Sequence, residues 1–229
     1  MLNFISRAEW QARLPKSVDH LAWSSIDTIY VHYTSMMSDE TGDPKDKMRG
    51  IQNYHMDTKG WLDVAYNWAF ARTGEILMGR GWNVKAGATG PENSHSTAFV
   101  FLGGDREDRD DVTAKGREAL GKLIREAMRL KGSSLIVKGH TQAPGSVGQT
   151  SCPGKELLSY IAMKGWVVEP PISYPRRFFL FAAWYLGEGE FEKYGPHNLS
   201  VRPKELPGRY TPGTVLLMTA LRDYLRRRK

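Results

Sequence analysis

The sequence predicts an α/β fold, in which helices flank a mixed central β-sheet and a small, mainly helical segment follows at the C-terminus. Two observations predict it. Short apolar runs rich in β-branched and aromatic residues alternate with stretches of helical period through most of the chain. Three prolines then fall within residues 165–177, where they oppose both helix continuation and strand pairing. We therefore predict a folded domain over residues 1–165, a linker over 166–177 and a C-terminal segment over 178–229.

Four segments have the composition of strands and two have the periodicity of helices. Asp43 followed by Pro44 is typical of a helix N-cap and first helical position, and apolar residues then recur every three positions to about Asp57. Between residues 113 and 131, apolar side chains mark one face of an amphipathic helix that covers the sheet. The predicted strands are residues 27–34, 62–71, 97–102 and 135–139.

The composition excludes several classes of protein. The 229 residues are 41% hydrophobic and 25% charged, which indicates a folded chain rather than a disordered one. The longest apolar run, residues 178–186, is far shorter than the ~20 residues of a membrane-spanning helix, so we expect no membrane insertion. The first ten residues lack the charged start and apolar run of a signal peptide, so none is expected. The net charge is +7, and residues 172–229 carry most of it, with 11 Lys and Arg against 5 Asp and Glu.

Two histidines and the single cysteine are the candidates for a reactive centre. His32 and His140 stand at the ends of apolar strands, and Cys152 follows on a loop rich in glycine and proline. Two imidazoles and a thiolate supply three zinc ligands and leave a fourth tetrahedral position for water, as in catalytic zinc sites. Such a site activates water for hydrolysis of an amide. The alternative is that the histidines are core residues at strand ends and the cysteine is a buried apolar side chain.

Five stretches, all in one order, cover about residues 4–165 and carry a family resemblance. They read ISRAEWQAR, VHYT, RGIQNYHMDTKGWLDVAYNWAF, NSHSTAFVFLGG and GHTQAPGSVGQTSCPG. Together they resemble successive motifs of the peptidoglycan-recognition-protein family, the zinc amidases that include many phage endolysins. The resemblance implies a Zn²⁺-dependent N-acetylmuramoyl-L-alanine amidase, which cuts the bond between N-acetylmuramic acid and L-alanine in bacterial peptidoglycan.

The resemblance also implies a role for individual residues. His32, His140 and Cys152 match the zinc ligands of the family. Tyr66 matches the tyrosine that orients or deprotonates the zinc-bound water. Thr150 matches a position, two residues before the cysteine, that holds a lysine or a threonine in relatives of this kind.

Taken from the residues alone, both catalytic candidates have a plainer interpretation. Tyr66 is then a strand tyrosine that shares a face with Trp68 and Phe70 by the period of two. Thr150 is then a loop hydroxyl that makes a turn hydrogen bond. If the family match holds, Thr150 is a donor to the developing oxyanion, a role worth about 3 kcal/mol when the donor is well aimed.

One loop departs from the family pattern. Amidases of this family often place a histidine in the loop after the third strand, whereas Lys85 and Ala88 stand at the candidate positions here. Non-catalytic members of the family typically lose the cysteine ligand, and Cys152 is present. We therefore expect hydrolysis, and the alternative function is a non-catalytic module that recognises peptidoglycan.

Substrate binding is expected in a groove above the zinc site. Aromatic faces stack on sugar rings and amides hydrogen-bond the peptide stem, which nominates Trp61, Trp82, Asn83 and Asn93. The alternative is that the two tryptophans are core residues. His55, at the end of the first helix, is expected to be structural, since a partly charged imidazole suits the negative end of the helix dipole.

The partners and the setting follow from the resemblance and from the basic C-terminus. Peptidoglycan is the expected partner, and the basic end suits anionic cell-wall polymers that carry phosphate and carboxylate groups. The alternative is a role in solubility or structural support, and nucleic acid is not expected because no groove-reading motif is visible. The predicted setting is a phage endolysin, made in the cytoplasm of an infected host and released through a holin. A virion-associated or secreted amidase shares the same chemistry.

Overall fold

A computed structural model describes residues 2–35, 42–106 and 111–167 and shows one sheet with helices on both faces. The strands are β1 (Thr28–Tyr33), β2 (Trp68–Phe70), β3 (Ile76–Met78), β4 (Ser96–Phe101) and β5 (Ile136–Gly139), and the helices are α1 (Pro44–Asn53), α2 (Ala114–Lys131) and α3 (Lys155–Ala162). The strand order is β3-β2-β4-β1-β5, parallel throughout except for the antiparallel pair of β2 and β3. The predicted α/β class with a mixed sheet is therefore confirmed.

Each of the two predicted helices begins directly after a residue whose side chain caps it. Asp43 accepts a hydrogen bond from the first turn of α1, and Thr113 does the same for α2. Gly132 ends α2 in the left-handed conformation, at φ 74°, where a glycine is least strained. The helix predicted to end near Asp57 is confirmed, because α1 continues directly into a π-helical turn at Tyr54–Thr58.

Side chains alternate between the two faces of the sheet and form two apolar clusters. One cluster packs against α2 and α3, and its fully buried members include Ile29, Val31, Phe99, Leu120 and Leu123. The other packs against α1 and the N-terminal segment, and it includes Trp10, Met48, Ala69, Val100 and Leu102. Each fully buried side chain of this size stabilises the fold by about 1.5–3 kcal/mol. His32 follows Val31 in β1, so its side chain points to the α1 face.

The strand predicted over residues 62–71 is shorter in the structure. The strand β2 comprises only Trp68–Phe70, and buried polar side chains contribute hydrogen bonds to the irregular backbone just before it. Tyr66 consequently does not share a face with Trp68 and Phe70, as the period of two predicts. Its ring packs with the α1-side cluster, whereas the other two rings lie in the α2-side cluster.

Two elements of the structure are not predicted by the sequence pattern. β3 is only three residues long, so it shows no alternation of apolar and polar residues that a sequence pattern could reveal. α3 has eight residues and begins directly after the cysteine loop, where glycine and proline dominate the local sequence. Its apolar side chains Leu157, Tyr160 and Ile161 complete the cluster on the α2 face.

The first domain extends beyond the predicted boundary at residue 165. Trp166 lies within the predicted linker, yet it is buried in the α2-side cluster and its carbonyl accepts a hydrogen bond from Arg125 Nη1 at 2.9 Å. The rest of the predicted linker and the segment 178–229 lie outside the described residues. Within the part of the chain that the structure describes, no helix has both the length and the apolar character needed to span a bilayer.

Candidate metal centre

His32 is presented by the central strand of the sheet and is almost completely buried. Its Nε2 lies 3.2 Å from Thr89 Oγ1 and its Nδ1 lies 3.8 Å from Cys152 Sγ. With the Nε2–H donating to the threonine, the lone pair of Nδ1 faces the cysteine. A partner on the distal nitrogen fixes ring orientation and tautomer, as for histidines that bind metals.

His140 and Cys152 reach the same place because of how β5 and the following loop pack. β5 is the parallel neighbour of β1, with Gly139 opposite Val31, so His140 emerges beside His32. The two imidazole centroids are 4.5 Å apart. The loop is tied back by the Thr141 N–H, which donates to the Cys152 carbonyl at 2.8 Å.

The donor set fits a zinc ion. One ligand atom from each of His32, His140 and Cys152 can be chosen so that all three lie within 4.8 Å of one another. Zinc bonds of about 2.0 Å to nitrogen and 2.3 Å to sulfur, at a tetrahedral angle, put the nitrogen and the sulfur about 3.5 Å apart. The observed 3.8 Å between Sγ and Nδ1 agrees with that spacing.

The environment of the three donors prepares them as ligands. Burial and the neighbouring imidazole of His140 hold the pKa of His32 well below its usual range, and burial also lowers the pKa of His140. Both rings are therefore neutral near pH 7 with a free lone pair. Burial raises the pKa of the Cys152 thiol to about 12, against the opposing effect of a hydrogen bond from the Tyr33 N–H, 3.3 Å from Sγ. A cation bound beside the sulfur favours the thiolate.

The three residues form part of the wall of a pocket of about 320 Å³. Tyr66 and Thr150, the two catalytic candidates, line the same pocket. The Tyr66 and His32 rings are 5.4 Å apart. The structure therefore brings together all five predicted metal and catalytic residues. The other lining residues are Tyr33, Ser35, His55, Trp61, Ala65 and Ala88.

The comparison with known proteins identifies the family. The family described as N-acetylmuramoyl-L-alanine amidase matches residues 22–155, which is more than half of the chain. Peptidoglycan-recognition protein SC2 of Drosophila simulans is 32% identical over 164 residues, 70% of this chain and 85% of that protein. The chain belongs to the peptidoglycan-recognition and type 2 amidase family.

Other members of the peptidoglycan-recognition family show the same relationship. Peptidoglycan recognition protein 1 of Mus musculus is 30% identical over 164 residues, 71% of this chain and 86% of that protein. A variant of Drosophila PGRP-LB, solved in complex with tracheal cytotoxin, superimposes with a TM-score of 0.62 at 27% identity. That match covers 72% of this chain and 96% of the fly protein. The shared fold includes the sheet and helices that carry the candidate metal centre.

Tyr66 and Thr150 have distinct surroundings within the pocket. Burial, and to a smaller degree Cys152, raises the pKa of the Tyr66 hydroxyl, so it stays protonated at neutral pH and is available as a hydrogen-bond donor. Thr150 Oγ1 accepts a hydrogen bond from the Cys152 N–H at 3.1 Å. That bond is the turn interaction expected of a loop hydroxyl, and the hydroxyl proton is still free to donate into the pocket.

The sequence predicts that His55 is a structural residue with a partly charged ring, and the structure corrects the charge. Burial is the main cause that lowers the pKa of His55 to about 4, so its ring is neutral at pH 7. Its Nδ1 accepts a hydrogen bond from the Ala65 N–H at 3.1 Å, which leaves the proton on Nε2. Its ring centroid lies 4.7 Å from that of Trp61, and both residues line the pocket. The location of His55 at the end of a helix does not indicate, from sequence alone, that its ring lines a pocket.

The structure does not bring Trp82 and Asn83 to the lining of the pocket, and their role in substrate binding stays a prediction. The Trp82 ring packs on the α2-side cluster, 4.7 Å from Trp68 and 5.9 Å from Trp23 between centroids. Trp82 is therefore a core residue, as in the alternative interpretation of the two tryptophans. Asn83 lies in a turn and adopts a left-handed conformation at φ 57°. Its carbonyl accepts a hydrogen bond from the Leu21 N–H at 2.9 Å, which ties this turn to the segment before β1.

Asn93 also does not line the pocket, but its side chain supports a loop that does. Its Oδ1 accepts hydrogen bonds from the Ala88 N–H at 3.2 Å and the Thr89 N–H at 2.9 Å. It thereby fixes the loop whose threonine hydroxyl contacts His32. Of the two positions that depart from the family pattern, Ala88 lines the pocket and Lys85 forms an ion pair with Asp19 at 3.6 Å.

Proposed function

We propose that the protein is a zinc-dependent N-acetylmuramoyl-L-alanine amidase that hydrolyses bacterial peptidoglycan. The observation that carries the proposal is the convergence of His32, His140 and Cys152, from three separate parts of the chain, within one pocket. Tyr66 and Thr150 in the same pocket supply hydroxyls beside the donor set. A module that only binds its ligand does not need these five groups in one place.

In this proposal His32, His140 and Cys152 would hold the ion. Zinc in a three-ligand site polarises a carbonyl oxygen and lowers the pKa of water, which is what hydrolysis of an unactivated amide requires. Thr89 keeps the His32 ring in the tautomer whose lone pair faces the site. The Tyr33 N–H compensates part of the charge on the sulfur.

The two hydroxyls act on the scissile amide. Tyr66 carries its proton at neutral pH, so its hydroxyl donates a hydrogen bond to the attacking water or to the carbonyl oxygen as negative charge develops there. Thr150 Oγ1 accepts from the Cys152 N–H, and its own proton would be donated to the developing oxyanion. The water oxygen bonds to the lactyl carbonyl carbon as the C–N bond to L-alanine breaks, and a proton from that water passes to the amine of the stem peptide, which leaves.

His55 and Trp61 line one side of the pocket, and the substrate would contact them as it enters the reaction centre. The neutral His55 ring has an Nε2–H that can donate to a sugar or peptide carbonyl. Trp61 is 38% exposed, so part of its indole face is free to stack on a sugar ring. Trp61 is the one residue of the predicted substrate set that lines the pocket.

The test is digestion of purified peptidoglycan by the zinc-loaded protein, followed by mass spectrometry of the products. We expect new amino termini of L-alanine with no new reducing sugars. Cys152→Ser removes one ligand and is expected to lose both bound zinc and activity, whereas Tyr66→Phe is expected to keep zinc and lose most of the activity. New reducing sugars without free L-alanine amino termini would identify a glycosidase and contradict the proposal.

The second candidate is recognition of peptidoglycan without cleavage. The fly and mouse relatives are recognition proteins, and tracheal cytotoxin, a monomeric diaminopimelic acid-type peptidoglycan, is bound in a solved structure of the family. A binder retains the fragment intact and does so equally well after the metal is removed. Saturable binding of the fragment by zinc-loaded protein, with no cleavage over hours, would establish this candidate in place of the amidase.

The biological setting stays a prediction. We propose that the enzyme acts as a phage endolysin, supported by its basic charge, which suits an anionic wall. Expression in the cytoplasm of a bacterium is then harmless until the membrane is permeabilised, and lysis follows within minutes. Lysis that begins without permeabilisation would contradict this setting and leave the chemistry untouched.

A further inference from the structure

Tyr66 stands at the end of an irregular segment, Asp63–Tyr66, whose backbone is held by side chains. The Val64 carbonyl accepts from Arg80 Nε at 2.6 Å, and the Ala65 N–H donates to His55 Nδ1 at 3.1 Å. None of these bonds belongs to the sheet. Backbone groups hold the segment as well, since the Ala65 carbonyl accepts from the Gly87 N–H at 2.7 Å and the Tyr66 carbonyl accepts from the Arg80 N–H at 2.9 Å. The position of the Tyr66 hydroxyl therefore depends on buried polar side chains in addition to backbone pairing.

Asp63 is the polar centre of this segment, and its side chain is only 5% exposed. Its Oδ1 accepts from the Val64 N–H at 2.7 Å and from Gln52 Nε2 at 2.6 Å. Its Oδ2 accepts from Arg7 Nη1 at 2.9 Å. A buried carboxylate is tolerated only when it is paired and hydrogen-bonded, and Arg7 and Gln52 supply the ion pair and one of the hydrogen bonds.

Arg7 comes from the N-terminal segment, 56 residues before Asp63 along the chain, in the ISRAEWQAR motif that precedes the matched residues 22–155. That segment is fixed to the sheet, because the Ile5 N–H donates to the Ile76 carbonyl and Trp10 is fully buried. The Arg7 guanidinium also donates to the carbonyls of Gly79 and Arg13, both at 2.7 Å. The two terminal nitrogens of the Arg7 guanidinium thus connect the N-terminal segment, the loop after β3 and the Asp63 carboxylate.

We infer that Arg7 is a positioning residue for the reaction centre, which makes the N-terminal segment part of the catalytic apparatus. Arg7 holds Asp63, and Asp63 holds the turn that aims the Tyr66 hydroxyl and presents the Ala65 N–H to His55. The inference rests on the proposed amidase function for its effect on rate, but the geometric part stands without it. A displacement of about 1 Å at a reacting group costs on the order of 100-fold in rate.

The test compares Arg7→Ala with Arg13→Ala in the full chain. Arg13 lies in the same segment, and its side chain makes an exposed ion pair with Asp57, at 43% and 59% side-chain exposure, so it is the matched control. We expect Arg7→Ala to bind zinc stoichiometrically and to lower kcat by about 10- to 100-fold with little change in KM. Arg13→Ala is expected to stay within about twofold of the wild type, because an exposed pair contributes little.

A double-mutant cycle separates positioning from general destabilisation. In a Tyr66→Phe background the hydroxyl that Arg7 aims is gone, so adding Arg7→Ala is expected to change kcat by less than about twofold. If Arg7→Ala lowers kcat by the same factor in the Tyr66→Phe background as in the wild type, the inference is overturned. A wild-type kcat in the Arg7→Ala single variant overturns it as well.

A readout that needs no activity tests the geometry directly. Hydrogen exchange of the Ala65 amide, read by NMR, is expected to speed up at least tenfold in Arg7→Ala and to stay unchanged in Arg13→Ala. If the wild type cuts no peptidoglycan, the proposed function fails and this measurement alone decides the positioning role: unchanged protection of Ala65 overturns it. If Arg7→Ala does not fold, Arg7→Lys replaces it. Lysine keeps the charge and loses the fork, so the Ala65 amide is still expected to lose protection.

Discussion

At the scale of single residues, the candidate metal centre depends on partners that are not ligands. Thr89 Oγ1 is the partner of His32 Nε2 and is itself buried. Removing such a partner lets the imidazole rotate and change tautomer, which typically costs 10- to 100-fold in metal affinity. We expect Thr89→Val to weaken zinc binding by about that factor, measured by titration against a competing chelator.

Thr97→Val is the control for that experiment. Thr97 is also a buried threonine, and its hydroxyl has no hydrogen-bond partner among the described residues. Its loss is expected to leave zinc affinity unchanged. Equal weakening in both variants would show that any cavity or change in a buried threonine disturbs the site, and that the hydrogen bond to His32 is not the cause.

The candidate metal centre also depends on Gly139, because the absence of a side chain there leaves room for the cysteine loop. A Cβ at this position would lie 2.6 Å from Pro153 Cδ and 2.6 Å from Leu158 Cδ2. The leucine side chain can turn away, but the proline ring is bonded to Cys152 and must move with it. Gly139→Ala is expected to lower the free energy of unfolding by ~1–3 kcal/mol through overpacking and to weaken zinc binding.

The measurement for Gly139→Ala is urea unfolding with and without zinc. Gly50→Ala is the control, since nothing lies within 4 Å of a Cβ there and alanine favours the α1 helix by up to about 1 kcal/mol. Normal zinc stabilisation in Gly139→Ala would mean that Pro153 is not what brings the thiol to the histidines.

The residues of the site are predictable from sequence to different degrees. Strand ends and a family motif mark His32, His140, Cys152, Tyr66 and Thr150, and the structure brings all five together. Trp82 and Asn83 do not line the pocket. The sequence does not reveal this, since an aromatic residue in a loop has no sequence feature that separates a groove from a core. The prediction of a charged His55 is wrong because its environment depends on Ala65 and Trp61, which only the fold brings near.

At the scale of elements, α2 serves stability rather than chemistry. Leu123 is fully buried in the cluster on the α2 face, whereas His32 points to the α1 face. Leu123→Ala is expected to cost ~2–5 kcal/mol in the free energy of unfolding and to leave zinc stoichiometry unchanged in the folded protein. Thermal unfolding and metal analysis of the same sample measure both quantities.

Lys122→Ala is the neighbouring control, because this lysine makes an exposed pair with Glu118 on the same helix. A change below ~0.5 kcal/mol is expected there. Should Leu123→Ala release zinc from protein that is still folded, the two faces of the sheet would be coupled and this division of roles would be wrong.

Long elements with caps are predictable from sequence, and short ones are not. Both α1 and α2 carry an N-cap side chain and a sustained apolar period, so their starts are marked in the sequence. The strand predicted over residues 62–71 fails at its first half, where an apolar run is held by Asp63, His55 and Arg80 instead of a neighbouring strand. Such tertiary hydrogen bonds leave no periodic signal.

At the scale of the whole molecule, alternating strand and helix patterns are sufficient for the fold class. Parallel strands need crossover connections, and the spacing of the apolar runs allows for them. The order of strands is not predictable, because β1 and β4 are neighbours in the sheet with β2 and β3 between them in sequence. The boundary at residue 165 falls slightly short, since Trp166 packs in the core despite the prolines that follow it.

The pH dependence of stability is a property of the whole molecule. His55 contributes to it by lowering the free energy of unfolding as the pH falls. Its pKa is about 4 when folded and 6.5 as a free group, so the unfolded chain binds a proton first as the pH falls. Above pH 6.5 neither state is protonated and the contribution is constant. Between about pH 6.5 and 4 the free energy of unfolding therefore falls, and below pH 4 the loss from this group is complete.

His55→Gln isolates this effect, because a glutamine oxygen still accepts from the Ala65 N–H but does not titrate. We expect the urea-unfolding free energies of metal-free wild type and variant to differ by a constant between about pH 7 and 8. As the pH falls from 6.5 to about 4, the wild type should lose stability relative to the variant. Burial causes this loss, since the folded protein has no room to hydrate an imidazolium at that position. Parallel curves across the whole range would mean that His55 is solvated in the folded protein and that the pocket wall is more open than the structure shows.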